Sequence, residues 1–148
     1  MAEPSRRRET KVGVRVGGGP PPGYEWNVTI LDVAYKEAME FLDGDQYTHI
    51  ARQVKELAQQ GDPTHSETVD VKAIENYCEI RDKGGILGRL NVRVFFYVHD
   101  SNRTIVVLGT IKKEADGTTP MAIKIRMRHR IRQYLSGLGN VDGSVEGT

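Results

Sequence analysis

Nine residues, Asn91 to His99, alternate so regularly that they leave one choice of local structure. Val92, Val94, Phe96 and Val98 fall on one side of an extended chain, and Arg93, Phe95, Tyr97 and His99 on the other. Such a run is a strand, with its valine side packed against helices and Arg93 facing a cleft. Asp100-Ser101-Asn102 turns it into a second strand, Thr104 to Ile111. Before it, Val69 to Ile74 and Tyr77 to Asp82 read as shorter strands, the second broken by Lys83-Gly84-Gly85.

The sheet needs a cover, and the preceding residues supply one. Trp26 to Leu31 is rich in β-formers and reads as the first strand. Tyr35, Ala38, Met39 and Leu42 follow helical spacing up to Gly44, which is expected to stop that helix. Thr48 is the expected cap of a second helix with Ile50, Val54, Leu57 and Ala58 in one stripe, ended by Gly61 and Pro63. The two helices form a hairpin whose apolar face covers the sheet. After Thr119-Pro120, Ile125, Met127, His129 and Ile131 alternate with arginines as in a strand, yet Ile123, Met127, Ile131 and Leu135 also satisfy helical spacing. Sixteen residues suit a helix better than a strand, and a threonine cap followed by proline begins one well. The fold class is therefore α+β: an N-terminal strand and helical hairpin packed on a twisted antiparallel sheet, with a C-terminal helix.

At 148 residues there is room for one domain with a real core. Residues 1–23 form a basic Gly/Pro-rich arm, expected to be disordered, residues 24–135 the domain, and residues 136–148 a glycine-rich flexible tail. No run of eighteen apolar residues occurs, which excludes a membrane span of that kind, and the first residues lack the apolar segment of a secretory signal. Cys78 is alone, so no internal disulfide forms, in keeping with a cytoplasmic setting. The histidines give no metal-ligand spacing with Cys78, and no metal or other cofactor is expected.

The net charge of +1 conceals opposed blocks. Residues 24–71 carry three basic and ten acidic groups, whereas residues 72–135 carry thirteen and six. The basic block either meets a polyanion or an acidic partner, or faces the acidic block within the fold.

The order of these elements, together with Glu79-Ile80-Arg81, Arg93-Val94-Phe95-Phe96-Tyr97, Lys112-Lys113 and Thr119-Pro120, resembles the RelE superfamily of bacterial toxins. Within it the chain is similar to the HigB-like, phage-derived branch, also in KEAMEFLDG from Lys36 and in Gly61-Asp62-Pro63. The resemblance covers roughly residues 26–135. It implies the toxin of a type II toxin-antitoxin system: a metal-independent endoribonuclease that cuts mRNA on the ribosome and is neutralised by a cognate antitoxin.

It also implies a site. Arg93 matches the strand arginine that holds the scissile phosphate, since a guanidinium grips two phosphate oxygens at once. Lys112 and Lys113 match a basic pair, one of which stabilises the phosphorane or protonates the leaving oxygen. Arg81 either assists at the phosphate or braces Glu79. On the last helix Arg126 and Arg130 are candidate RNA contacts, and Tyr134 either stacks on a base or sits against the sheet. The lysines that RelE carries in the strand here reading Tyr77-Cys78-Glu79 have no counterpart, so the proton-abstracting group is unassigned. His99 and His129 are the remaining bases in the later half, and an isolated histidine at a strand end or on an arginine-rich helix is more often solvated. A ParE-like gyrase inhibitor and a non-catalytic RelE-fold binding module for protein or RNA are the alternatives.

Overall fold

The computed structural model describes residues 19–114 and 117–142, with side chains as far as residue 138. Residues 1–18 of the expected arm and 143–148 of the expected tail lie outside the described residues. Two compact units divide the chain, the first reaching Asp116 and the second beginning at Gly117.

The first unit runs β1 (Asn27–Ile30), α1 (Asp32–Met39), α2 (Gly44–Ala58), β2 (Val71–Ala73), β3 (Cys78–Lys83), β4 (Asn91–His99) and β5 (Thr104–Lys112). The second holds α3 (Met121–Asp142). The strands form one sheet in the order β1-β5-β4-β3-β2. Neighbours from β5 to β2 are antiparallel, as alternation and short turns predict, but β1 runs parallel to β5, in register from Asn27 against Thr104 to Ile30 against Val107. Partners so distant in sequence leave no local signal of their direction.

The helix boundaries shift for an identifiable reason. Asp43, not Thr48, caps α2: its carboxylate accepts from the Gln46 N–H at 2.8 Å while the Gln46 side chain accepts from the Asp43 N–H at 3.0 Å. This reciprocal box satisfies two backbone donors and starts the helix at Gly44, which opens α2 instead of stopping α1. The Thr48 hydroxyl lies inside the helix and donates to the Gly44 carbonyl. α1 has already ended at Met39.

One face of the sheet presents Val28 and Ile30 (β1), Ile105 and Val107 (β5), Val92, Val94 and Phe96 (β4), and Cys78 and Ile80 (β3) to α1 and α2. Ala34 and Ala38 of α1 and Ile50, Val54, Leu57 and Ala58 of α2 close over them. Each large apolar side chain buried there contributes about 1.5–3 kcal/mol. A bulge interrupts the β4–β5 ladder, where Phe95 faces Gly109 and Phe96 faces Val107, so that Leu108 is the extra residue. Next to it, the Thr110 N–H donates to the Glu37 side chain of α1 at 3.0 Å.

The second unit settles the ambiguous segment as a helix, and carries it past Leu135 to Asp142. Pro120 precedes the helix, its carbonyl accepting from the N–H groups of Ile123 and Lys124.

Candidate functional site

The side of the sheet away from α1 and α2 carries Glu79, Arg81 and Arg93. β3 and β4 are paired so that Arg81 lies directly opposite Arg93 and Lys83 opposite Asn91. Two guanidinium groups face to face across strands repel. Glu79, two residues before Arg81 and on the same face, relieves this. Its Oε2 accepts from Arg81 Nε at 2.8 Å and from Arg93 Nη1 at 3.2 Å. Arg93 Nε also donates to Asn91 Oδ1, at 3.4 Å.

Burial separates the two arginines. The Arg93 side chain is 2% exposed and that of Glu79 is fully enclosed, whereas the Arg81 side chain is 30% exposed. Arg93 thus reaches the expected cleft, but as a buried, ion-paired wall and not as an open cation. The cleft, about 500 Å³, is lined by Asp70, Arg81, Asp82, Lys83, Asn91 and Arg93. Asp82 is engaged on the helix side, where its carboxylate binds His49 Nε2 at 2.6 Å and accepts from Gln53 Nε2 at 2.8 Å.

The basic pair that follows is divided by the pleat. Lys112 is paired with Val92 and so belongs to the helix-facing side, on which it is exposed at the strand end. Lys113 continues the chain one residue further, donates its N–H to the Asn91 carbonyl at 2.8 Å, and shares the side of Arg93 and Ile111. Arg81, Arg93 and Lys113 are therefore brought to one face, and Lys112 is not.

The remaining candidates are placed elsewhere. Cys78 is turned into the core, and burial pushes its thiol up to about 11, which leaves it protonated near neutrality. His99 lies six residues along β4 from Arg93, roughly 20 Å away. Burial lowers its pKa below the ordinary value, with Asp100 opposing. Within the second unit, Met127, Arg130, Ile131 and Tyr134 make one buried stripe, so Arg130 does not stand open as a surface arginine would, and of the two alternatives for Tyr134 the ring is buried. Arg126 is exposed, as are Arg128 and Arg132. Among the described residues no three His, Cys, Asp or Glu side chains gather as metal ligands, and no described helix is long and apolar enough to cross a membrane.

Asn91, Lys83 and Asp70 were not expected as site residues, and Glu79 was expected only as a group for Arg81 to brace. The i, i+2 pairs Glu79/Arg81 and Asn91/Arg93 are a signal for them, visible once β3 and β4 are known to be paired.

No family model matches the chain, and no curated protein does. Among solved structures the chain is similar to the E. coli toxin RelE, in a mutant with two arginines replaced by alanine, in the free state. The match has 16% sequence identity and a TM-score of 0.52, and covers 72% of this chain and 98% of the other. The fold is RelE-like.

Proposed function

We propose that this chain is the toxin of a type II toxin-antitoxin system of the HigB-like branch, a cytoplasmic endoribonuclease that cuts mRNA on the ribosome without a metal and is held inactive by an antitoxin. The observation that carries this reading is the gathering of Arg81, Arg93 and Lys113 on one side of a RelE-like sheet, beside a cleft with room for a nucleotide phosphate.

Fixed cations at that position suit one reaction. The ribose 2′-oxygen attacks the adjacent phosphorus in line, and the P–O5′ bond breaks. A 2′,3′-cyclic phosphate and a 5′-hydroxyl result, the 2′ proton passing to solvent or a base and another proton reaching the leaving oxygen. Negative charge gathers on the non-bridging oxygens in between, and a pre-set guanidinium together with an ammonium group stabilises it without reorganising. Arg81 takes the phosphate side with Arg93 buried behind it, and Lys113 the phosphorane or the leaving oxygen.

Glu79 favours a second reading. A carboxylate that already engages both guanidinium groups makes a stable scaffold for a non-catalytic surface that docks RNA or protein. Induced expression of the wild type and of Arg81→Ala in a bacterial host, with growth and transcript 5′ ends read together, separates the two. New in-frame ends and growth arrest, both abolished by the substitution, are expected. Arrest without new ends points to a ParE-like or other protein target, and a folded product without effect points to the docking module.

A further inference from the structure

Arg81 and Arg93 are not equivalent. Arg93 is held at Nε by Asn91 and at Nη1 by Glu79, and is almost wholly buried. Arg81 is held at Nε alone. No described residue accepts from its Nη1 or Nη2, and its side chain is part-exposed at the cleft. With one edge of the guanidinium pinned by a buried carboxylate, the other edge forms a two-pronged donor whose direction is set before any ligand arrives.

We propose that Glu79 is the positioning residue of this cleft, fixing Arg81 so that its Nη1–Nη2 edge receives a phosphate of single-stranded RNA, with Arg93 as the buried brace behind it. The inference rests on the RNA-directed reading above and deepens it. A free arginine loses side-chain entropy when it grips an anion, and anchoring Nε in advance removes part of that cost. Coulomb attraction alone points the other way, because Glu79 places a negative charge beside the anion site. The two accounts therefore predict opposite signs for the loss of that charge.

The test uses the full chain and a short, uncleavable 2′-O-methyl oligoribonucleotide, with affinity followed by fluorescence anisotropy from low to high salt. Positioning predicts that Glu79→Gln weakens binding about tenfold, the scale of one charge-assisted hydrogen bond. The slope of log affinity against log salt is expected to fall by about 0.7, one phosphate contact on a single strand. Arg81→Ala matches both changes, and the double variant loses no more than Arg81→Ala alone. The Arg81 Nε–Hε resonance, protected in the wild type, exchanges rapidly in Glu79→Gln.

Should Glu79→Gln fail to fold, Glu79→Asp keeps the charge and withdraws the carboxylate by one methylene, with the same losses expected. Equal or tighter binding by the folded Glu79 variant, additive losses in the double variant, or a wild type that does not bind the oligonucleotide even at low salt overturns the proposal. Failure of the nuclease reading is a different result: the binding pattern holds while the wild type produces no new transcript ends, and the positioning role of Glu79 stands.

Discussion

Arg93 and Glu79 form an ion pair across β3 and β4, Nη1 to Oε2 at 3.2 Å, with neither side chain more than 2% exposed. Removing one member of such a pair strands the other in a place water does not reach. Arg93→Ala is therefore expected to unfold more easily, by about 3 kcal/mol, the lower end of the range for broken buried pairs because Arg81 still binds the same oxygen. Urea unfolding of the purified variant measures this, and a midpoint equal to that of the wild type contradicts the buried pairing. It follows that loss of a growth phenotype in Arg93→Ala reports on folding as much as on chemistry, whereas Arg81→Ala, at the part-exposed end of the cluster, reports mainly on the cleft.

The capping box of α2 gives a second expectation. Asp43→Ala removes the side-chain acceptor of the Gln46 N–H and leaves the residue 43 N–H free to go on donating to the Gln46 side chain. A loss of about 1 kcal/mol is expected. Thr48→Ala, which removes only a back-bond to Gly44 inside the helix, is expected to cost clearly less. Thermal unfolding of the two variants side by side decides between Asp43 and Thr48 as the cap, and a larger loss from Thr48→Ala assigns it to the threonine.

These two cases show what the sequence makes legible. Asn91–His99 is recovered end to end because one period governs all nine residues and both faces differ sharply. Thr48 is misread as a cap because any threonine before an apolar stripe looks like one, while the Asp43/Gln46 box lies a turn earlier behind a glycine that reads as a stop. α3 satisfies two periods at once, and its length decides for helix. Arg130 is buried because it shares a stripe with Met127, Ile131 and Tyr134, which treating every arginine as surface overlooks. The gathering of Arg81, Arg93 and Lys113 follows from strand parity once the register of β3, β4 and β5 is known. The burial of Arg93 does not follow from parity, since it depends on which residue of another strand lies beside it.

Asn27 supplies a test of a different kind. It is 1% exposed in β1, and neither the nitrogen nor the oxygen of its amide has a hydrogen-bond partner. An unpaired buried amide costs about 1–3 kcal/mol. Val fits a strand better and has no polar group to desolvate, so Asn27→Val is expected to stabilise the fold by about 1 kcal/mol. A calorimetric midpoint that falls instead shows that the amide is satisfied in solution, by water or by a bound group.

His99 sets a pH dependence whose direction is fixed by its burial. The folded chain holds its imidazole below the ordinary value of 6.5, chiefly through desolvation, with Asp100 pulling the other way. As pH falls through 6.5 the unfolded chain takes up a proton at this position more readily than the folded chain. The unfolded state then binds more protons, and stability declines with pH. The decline begins near the unfolded value and ends once pH is below the folded value; above about pH 7.5 both states are neutral and the contribution is flat. Urea unfolding of the wild type and of His99→Gln at pH 7.5 and 5.5 isolates it, because the other titrating groups are common to both chains. The wild type is expected to lose more stability than the variant between the two pH values. An equal loss means that the ring is as well solvated folded as unfolded, and a smaller loss in the wild type means that Asp100 outweighs burial.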